Sequence, residues 1–437
     1  MRDIVFGPIF LAIAAYGLAH PWIGILGWTW LSIMNPHAYS WRLSSMPVAA
    51  AIAGATLLGL LFTRDRRAFF VTRETVVLML FMLWMSITLP FSYHFEHSYP
   101  LWNRVMKIDL MVLVAMCVLY SKKHIIILAW VLAGSIGFFG VKGGLFTLAT
   151  GGSYRVWGPA NSYIEGNNEM ALALIMIIPI IAFVRLTTES VWIKRGLVAA
   201  MLLCAVAAIG SQSRGALLAI AAMSAVLWWR SDKKFLFGIL LAVASVALLS
   251  FMPDTWWERM ATILTYDEDT SASGRINSWW MAWNLAKANF FGGGFAVAKP
   301  ELFAMYAPDP TSVLAAHSIY FMVLGEHGFV GLFLFLLLWI FVWGSAGRLR
   351  AQGKKLPQTL WLSHLGAMCQ VSLAGYAVGG AFLSLSYYDL PYNILILVVL
   401  GCRWLDGKEW ITEEVEQARV QSALLEKSVL EAKRMQP

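Results

Sequence analysis

The sequence predicts an all-α, polytopic integral membrane protein of about twelve transmembrane helices. Hydrophobic residues make up 59% of the chain and charged residues only 13%, which is about half the charge that a soluble domain carries. Apolar runs long enough to cross about 30 Å of hydrocarbon recur along the chain. The gaps between these runs are alternately rich and poor in Lys and Arg, as expected when basic gaps stay in the cytoplasm.

The same composition excludes several other classes of protein. So few charged residues are not typical of disordered, collagen-like or disulfide-stapled chains. The net charge of +8 fits basic membrane loops better than a nucleic-acid surface, so we expect no nucleic-acid partner. The cysteines lie in apolar runs without CxxC spacing, which predicts neither a metal site nor a disulfide pattern. They are Cys117, Cys204, Cys369 and Cys402.

Each predicted span is an apolar run about as long as a membrane-spanning helix. The spans lie near 4–19, 46–63, 74–92, 104–120, 124–147, 169–186, 195–211, 214–229, 234–252, 329–346, 360–384 and 389–404. The stretch 21–34 is too short and too aromatic to count as a span, and we interpret it as an interfacial or re-entrant segment.

The basic gaps predict how these spans are oriented. Lys and Arg are concentrated at 64–73, 122–123, 194–195, 230–234 and 348–355. With these gaps inside, an even number of spans places both termini in the cytoplasm. The intervening gaps then face the opposite, outer side.

This topology divides the chain into four regions. Residues 1–252 form an N-terminal transmembrane bundle of about nine to ten spans, and residues 329–404 form the C-terminal transmembrane helices. Between them, 253–328 is a large outer loop, far longer than an ordinary connection. Residues 405–437 are strongly charged with apolar positions at helical spacing, which predicts an amphipathic cytoplasmic helix.

The outer loop is rich in aromatic residues rather than in polar ones. Runs such as 276–289 predict amphipathic helices that lie on the membrane or cap a cavity. Such a loop could shelter a lipid-linked substrate, although a passive plug is the simpler alternative. Its acidic cluster, Asp267-Glu268-Asp269, is more typical of a solvated charge run than of a metal site. We therefore predict no metal and no cofactor.

Several cations lie at or near the outer face, against the general charge trend. Charge at membrane depth is costly, which makes each of them a candidate for function. Outward cations beside apolar spans suit an anionic lipid headgroup, because the arginine fork matches phosphate oxygens. They are Arg104, Lys107, Lys142, Arg155, Arg214, Arg259, Arg275, Lys287 and Lys299.

Two of these arginines, Arg214 and Arg275, are the main candidates for binding phosphate, and Arg155 is a weaker one. Arg214 follows the short turn Gly210-Ser-Gln-Ser and is expected at the start of a helix, where free N–H groups attract an anion. Arg275 lies in the outer loop, and Arg155 lies in a tryptophan-flanked outer loop and is the weakest of the three. An interfacial arginine that binds ordinary lipid headgroups is the plainer interpretation of each.

His317 is the candidate base. A histidine at the outer end of a helix titrates near neutral pH and can accept a proton from a hydroxyl group. In a continuous helix, Tyr320 would share its face, whereas Glu326 would point away, so a His–Glu relay is not expected. Glu326-His-Gly328 is instead expected to order the bend where the loop enters the membrane. A hydrogen-bonded interface histidine is the plainer alternative for His317.

Taken together, these features resemble the O-antigen ligase and polymerase superfamily of bacterial inner-membrane glycosyltransferases, and its O-antigen ligases in particular. The resemblance covers roughly residues 160–400 and rests on Ser-Arg214-Gly, on Gly-Arg275 and on His317-Ser with Glu326-x-Gly328. The start of the chain, with Asn35-Pro-His-Ala-Tyr-Ser-Trp, is similar to the ligase subgroup found in exosortase-bearing bacteria.

The resemblance implies an inverting transfer at the periplasmic face of the inner membrane, without metal. A glycan would move from undecaprenyl pyrophosphate to a hydroxyl of the lipid A-core oligosaccharide. His317 would activate that hydroxyl, and Arg214 and Arg275 would hold the pyrophosphate. Arg155, Arg104, Lys107, Tyr320 and Glu326 are weaker candidates for the same site.

Other functions stay open at this point. A polymerase, or a ligase that attaches the glycan to protein, would use the same donor. A polymerase would be expected to carry arginine motifs in two long outer loops, and only one loop is long here. A transporter of lipid-linked oligosaccharides would be expected to show two related halves with broken helices, and no such symmetry is visible. A non-catalytic scaffold would not need His317.

Overall fold

The computed structural model describes residues 2–64, 66, 71–230, 234–261 and 270–411. These residues form sixteen α-helices with short 3-10 turns between some of them. The helices are α1 Arg2–Ala19, α2 Pro21–Met34, α3 Val48–Phe62, α4 Arg73–Thr88, α5 Phe95–Val118, α6 Lys122–Ala149, α7 Asn167–Thr187, α8 Val191–Gly210, α9 Arg214–Arg230, α10 Lys234–Ser250, α11 Asp254–Ala261, α12 Thr270–Ala288, α13 Pro300–Tyr306, α14 Ile319–Gly353, α15 Leu360–Gly379 and α16 Asp389–Asp406.

Every predicted span coincides with a helix in the structure. Within the described residues, seven helical segments are long and apolar enough to cross a membrane. Three further apolar helices, α3, α9 and α10, are shorter. The helix that contains the predicted span 104–120, α5, also carries Glu96, Arg104, Lys107 and Asp109. The all-helical, multi-pass character is therefore confirmed, whereas the number of twelve spans stays a prediction.

Contacts between helices define two ends of the bundle. At one end, Arg73 hydrogen-bonds Ser345 near the end of α14, with 3.0 Å between Nη2 and Oγ. The Arg403 side chain there donates to the Met116 carbonyl of α5. This end carries the basic gaps, and we call it the basic end. The connections before α3, after α6 and after α8 lie at the other end, which we call the loop end.

The segment 21–34 is a buried helix of the bundle, not a surface piece. At the basic end, the rings of Trp22 and His124 stack with centroids 5.0 Å apart. At the loop end, the Asn35 side chain donates to the Ala160 carbonyl over 3.1 Å. The α2 helix therefore runs from the basic end to the loop end inside the bundle, where the sequence predicts an interfacial or re-entrant segment.

The course of α2 changes the expected position of the N-terminus. The Asp3 carboxylate accepts from the backbone N–H groups of Arg42 and Leu43, just before α3 begins. Gly59, near the other end of α3, lies against the carbonyl of Leu18. The start of α1 is therefore at the loop end, opposite the basic segment 64–73. Because α16 ends at the basic end, the described chain starts and finishes at opposite ends of the bundle, contrary to the expectation that both termini share one side. Which end is cytoplasmic stays a prediction.

The described part of the outer-loop region, 253–261 and 270–328, forms α11, α12, α13 and the start of α14 at the loop end. Trp256 of α11 is buried and donates from Nε1 to the carbonyl of Ile209, at 3.1 Å. The exposed face of α12 carries Ile276, Trp280 and Trp283, whereas its buried face packs against α14. An apolar outward face of this kind suits contact with lipid at the membrane interface.

The expected bend at Glu326-His-Gly328 is present. Gly328 interrupts α14 with φ +66° and ψ −168°, a conformation available almost only to glycine. Glu326 is buried and accepts two hydrogen bonds, from the backbone N–H of Ala296 (3.1 Å) and from the Tyr387 hydroxyl (2.6 Å). The bend thus docks the glycine-rich stretch 292–294 onto α14.

Two predicted features fall outside the described residues. The acidic cluster at 267–269 lies there, as does most of the predicted C-terminal amphipathic helix, from 412 onward.

Candidate active site

The turn between α8 and α9 presents Arg214 as the sequence predicts. The α9 helix begins at Arg214, and the preceding Ser213 hydroxyl accepts the N–H of Ala216 over 3.2 Å in the manner of an N-cap. Gln212 adopts φ +57° and donates from its side chain to the carbonyl of Gly152. Asn167, the first residue of α7, donates to the Ser211 carbonyl over 2.8 Å. The turn is thus held from both sides.

Arg275 is placed by α12, whose next turn holds the chain before α14. Asn277 donates to the carbonyls of Asp309 (2.8 Å) and Ser312 (3.0 Å), and its own side-chain oxygen accepts the N–H of Asp309. The Ser278 hydroxyl donates to the carbonyl of Leu314 over 2.8 Å. The same helix therefore carries Arg275 and fixes the path of residues 309–314.

These elements bring Arg214 and Arg275 to one small cavity of about 90 Å³. Because a water molecule takes up about 30 Å³ of liquid, the cavity has room for a group of phosphate size. Two helix N-termini, those of α7 and α9, contribute Asn168, Ser213 and Gly215 to its wall. Their positive dipole ends add to the charge of the arginines, so the cavity is suited to an anion.

His317 lies close to Arg275 but not on a helix. It has φ +42° and comes before α14, which begins at Ile319. Trp279 of α12 donates from Nε1 to the carbonyl of Ala316 over 2.7 Å and so holds the backbone beside it. The expectation that His317 shares a helical face with Tyr320 is therefore wrong, because the chain turns left-handed at the histidine.

Burial, and then the positive charge of Arg275, lowers the pKa of the His317 imidazole below its ordinary value of 6.5. Both effects penalise the imidazolium form. At neutral pH the side chain is therefore uncharged, which is the form that can accept a proton from a hydroxyl group.

The weaker candidates Arg155, Tyr320 and Glu326 do not line this cavity. Arg155 donates to the side-chain oxygen of Gln212 at 3.4 Å and so reaches the Arg214 turn indirectly. The Tyr320 hydroxyl donates to the carbonyl of Ala377 over 2.7 Å. Glu326 is engaged in the bend described above, which indicates a structural role.

Arg104 and Lys107 belong to a different place. They line a larger cavity, of about 670 Å³, that is formed mainly by α2, α3, α5 and residues 161–163. The sequence grouped all the outward cations for one ligand, whereas the structure divides them between two cavities.

Sequence reasoning missed two polar residues at the start of α7. Asn168 lines the small cavity, and the neighbouring Glu169 is close enough to interact electrostatically with Arg275. Their signal was the polar run Gly166-Asn-Asn-Glu169 directly before an apolar span, on the same side as the Arg214 turn. The positioning residue Trp279 was seen only as one of the loop's aromatic residues.

Two family models match separate parts of the chain. Residues 199–336 match the family model described as O-antigen ligase, and this segment contains Arg214, Arg275 and His317. Residues 1–188 match a family of unknown function (DUF5935). A search of curated proteins finds no match. The match over 199–336 supports the O-antigen ligase and polymerase superfamily for this chain, and with it a membrane enzyme of glycosyltransferase type.

Proposed function

We propose that the protein is an O-antigen ligase. It would transfer a glycan from undecaprenyl pyrophosphate to a hydroxyl of the lipid A-core oligosaccharide, at the periplasmic face of the bacterial inner membrane. The observation that carries the proposal is the convergence of Arg214 and Arg275 on one cavity with His317 close to Arg275. The three residues are far apart in sequence and come from the turn before α9, from α12 and from the segment before α14.

The arginines suit the donor. Pyrophosphate is a dianionic or more highly charged group, and each guanidinium offers a planar pair of N–H donors to its oxygens. The cavity of about 90 Å³ has room for one phosphate of the pair, next to the N-termini of α7 and α9. As the sugar–phosphate bond breaks, negative charge grows on the leaving oxygen, and these preorganised donors stabilise it.

His317 suits the acceptor. The uncharged imidazole takes the proton of the attacking hydroxyl while the oxygen forms a bond to the anomeric carbon. The bond from that carbon to the phosphate oxygen breaks, and its electron pair leaves on undecaprenyl pyrophosphate. Attack opposite the leaving group inverts the anomeric configuration. Pyrophosphate is a good leaving group, so this step needs no strong acid.

The decisive experiment supplies one donor with three acceptors. Full-length protein in phospholipid nanodiscs is given a glycosylated undecaprenyl pyrophosphate together with lipid A-core, with a second donor molecule alone, or with an unfolded acceptor protein. We expect glycosylated lipid A-core as the product. Elongated donor would indicate a polymerase, and glycosylated protein would indicate a protein ligase. No transfer to any acceptor, by protein that still binds donor, would overturn the proposal.

A further inference from the structure

The large cavity at the loop end has two distinct walls. One wall is polar and carries Arg104, Lys107 and Asn103 from α5. The other is the apolar side of α3, from Ala49 through Ala53 and Gly54 to Leu57, which follows Pro47. At about 1.5 Å per residue, this apolar wall is about 12 Å long. The cavity therefore matches an amphiphilic molecule, with one wall for a polar headgroup and one for a hydrocarbon chain.

The two cations on the polar wall are one helical turn apart, and the charge of Arg104 acts on the nearby carboxylate of Asp389. Within the described part of the chain, neither Arg104 nor Lys107 makes an ion pair or a hydrogen bond. Arg104 instead lies over the ring of Tyr163, with 4.6 Å from Cζ to the centroid. They lie nine and twelve residues into α5, or about 14 and 18 Å along it. Both side chains are exposed, so an anion can reach them.

A buried carboxylate lines the same cavity. Asp389 is 2% exposed; its Oδ2 accepts from the Ser32 hydroxyl, but its Oδ1 has no hydrogen-bond partner among the described residues. An orphaned buried acceptor calls for a donor. Among the residues that line the cavity, the two cations and this carboxylate leave one net positive charge, which a singly charged phosphodiester would neutralise. A hydroxyl beside that phosphate could donate to Oδ1.

We propose that this cavity binds a lipid whose headgroup combines a phosphate with free hydroxyl groups. The phosphate contacts Arg104 and Lys107, a hydroxyl donates to Asp389, and the hydrocarbon chain lies along α3. Such a headgroup occurs in phosphatidylglycerol and in isoprenyl-phosphate-linked sugars, which share this chemistry. The proposal does not depend on the transfer reaction, because it concerns binding at residues that do not line the Arg214 cavity.

Two short segments connect the cavities. In the segment before α7, residues 161–163 line the large cavity and Asn168 lines the small one. In the segment between α15 and α16, Leu383 lines the small cavity and Asp389 lines the large one. A lipid in the large cavity thus lies next to the segments that complete the arginine cavity.

The test measures lipid binding by full-length protein in zwitterionic nanodiscs, with phosphatidylglycerol and an undecaprenyl-phosphate-linked glucose as separate probes. The double variant Arg104→Gln/Lys107→Gln removes both charges. Gly54→Leu places a large side chain on the apolar wall and so narrows the cavity. A Cβ at Gly54 would meet no heavy atom within 4 Å, so the variant is expected to fold. The matched control is Lys142→Gln, an exposed cation of α6 that does not line this cavity.

We expect the double variant to weaken binding at least about tenfold, since each phosphate contact involves a charged hydrogen bond. Gly54→Leu should also weaken binding, whereas Lys142→Gln should change it less than about twofold. Loss of the glucose lipid alone identifies lipid-linked sugars as the occupant, and loss of phosphatidylglycerol alone identifies membrane phospholipid. Unchanged binding of both probes in the double variant, or an equal loss in the control, would overturn the proposal.

Discussion

The two cavities at the loop end differ in size, polarity and construction. The Arg214 cavity, of about 90 Å³, is lined by arginines, amides and hydroxyls, with Phe382 and Leu383 at one side. The Arg104 cavity, of about 670 Å³, sets two cations against a long apolar wall. Arginine alone therefore does not identify the reacting site. A small polar cavity between helix N-termini suits a phosphate group, and a large two-sided one suits a whole lipid.

The difference extends to how the cations are held. Arg214 and Arg275 lie on elements fixed by hydrogen bonds from Gln212, Asn167 and Asn277. Arg104 rests on a single aromatic ring. Preorganised groups stabilise charge that develops during a reaction, because they need not reorient. This difference supports the proposals that the small cavity holds the reacting phosphate and that the large one binds a lipid.

The largest expected effect is an all-or-none test of whether both cavities open on the same side. In a cysteine-free background, Ser44→Cys marks the large cavity's end of α3 and Thr311→Cys marks the segment before His317. Ser190→Cys marks the basic end. A membrane-impermeant maleimide added from outside should label the first two and not the third. Labelling of Thr311→Cys without Ser44→Cys would show that the two cavities open on opposite sides.

His317→Ala should separate chemistry from binding. Loss of a general base slows transfer by about 10²–10⁴-fold, while donor affinity should stay within about twofold because the arginines remain. Rates of transfer and donor dissociation constants are measured on the same nanodisc sample. His97→Ala, an exposed histidine at the same end of the bundle, is the control. Transfer at the normal rate by the His317 variant would remove the histidine from the mechanism.

Arg214→Ala and Arg275→Ala should chiefly weaken binding of the pyrophosphate donor. Each loses hydrogen bonds to a charged group, worth about 1.5–3 kcal/mol, or roughly 10–150-fold in affinity. Arg155→Ala should have a smaller effect because Arg155 reaches the turn only through Gln212. Donor titration of the three variants gives the order. If affinity is unchanged in both main variants, the pyrophosphate is held elsewhere.

The pH profile tests the state of His317. Its pKa lies below the ordinary value because of burial and the charge of Arg275. The imidazole is therefore uncharged above that pKa, and kcat/KM should fall by about tenfold per pH unit only below it. At neutral pH the profile should be flat with respect to this group. In Arg275→Ala, the midpoint of the acid limb should move upward, because a positive charge is gone. A downward shift would contradict their proximity.

Much of this fold could be predicted from local sequence. The apolar runs located a helix at every predicted span, and the short Arg214 turn gave the start of α9. The bend at Gly328 was visible because Glu326-His-Gly328 interrupts an apolar helix. These features depend on nearest neighbours along the chain, so periodicity and turn residues are sufficient to find them.

The features that were missed depend on contacts between distant segments. Pro21–Met34 is too short to be recognised as a span, and only its contacts with other helices place it inside the bundle. The left-handed turn at His317 follows directly after the Ala316 carbonyl, which Trp279 holds across 37 residues of sequence. The division of Arg104 from Arg214 is equally a matter of tertiary packing. Charge on the outer face could be read from the sequence, but its grouping could not.

The smallest effect is expected where the scaffold of the small cavity is changed without touching the cavity. Gly328→Ala introduces a Cβ only 2.4 Å from the Phe290 carbonyl oxygen, at φ +66°. Such a backbone conformation costs a non-glycine residue about 1–3 kcal/mol, so the thermal unfolding midpoint should fall. Gly134→Ala in α6, where the added methyl meets no heavy atom within 4 Å, is the control and should be neutral or slightly stabilising. Because the bend docks residues 292–294 on α14, Gly328→Ala should also slow transfer modestly while lipid binding at Arg104 stays unchanged. An equal loss at both cavities would show that the two share one scaffold.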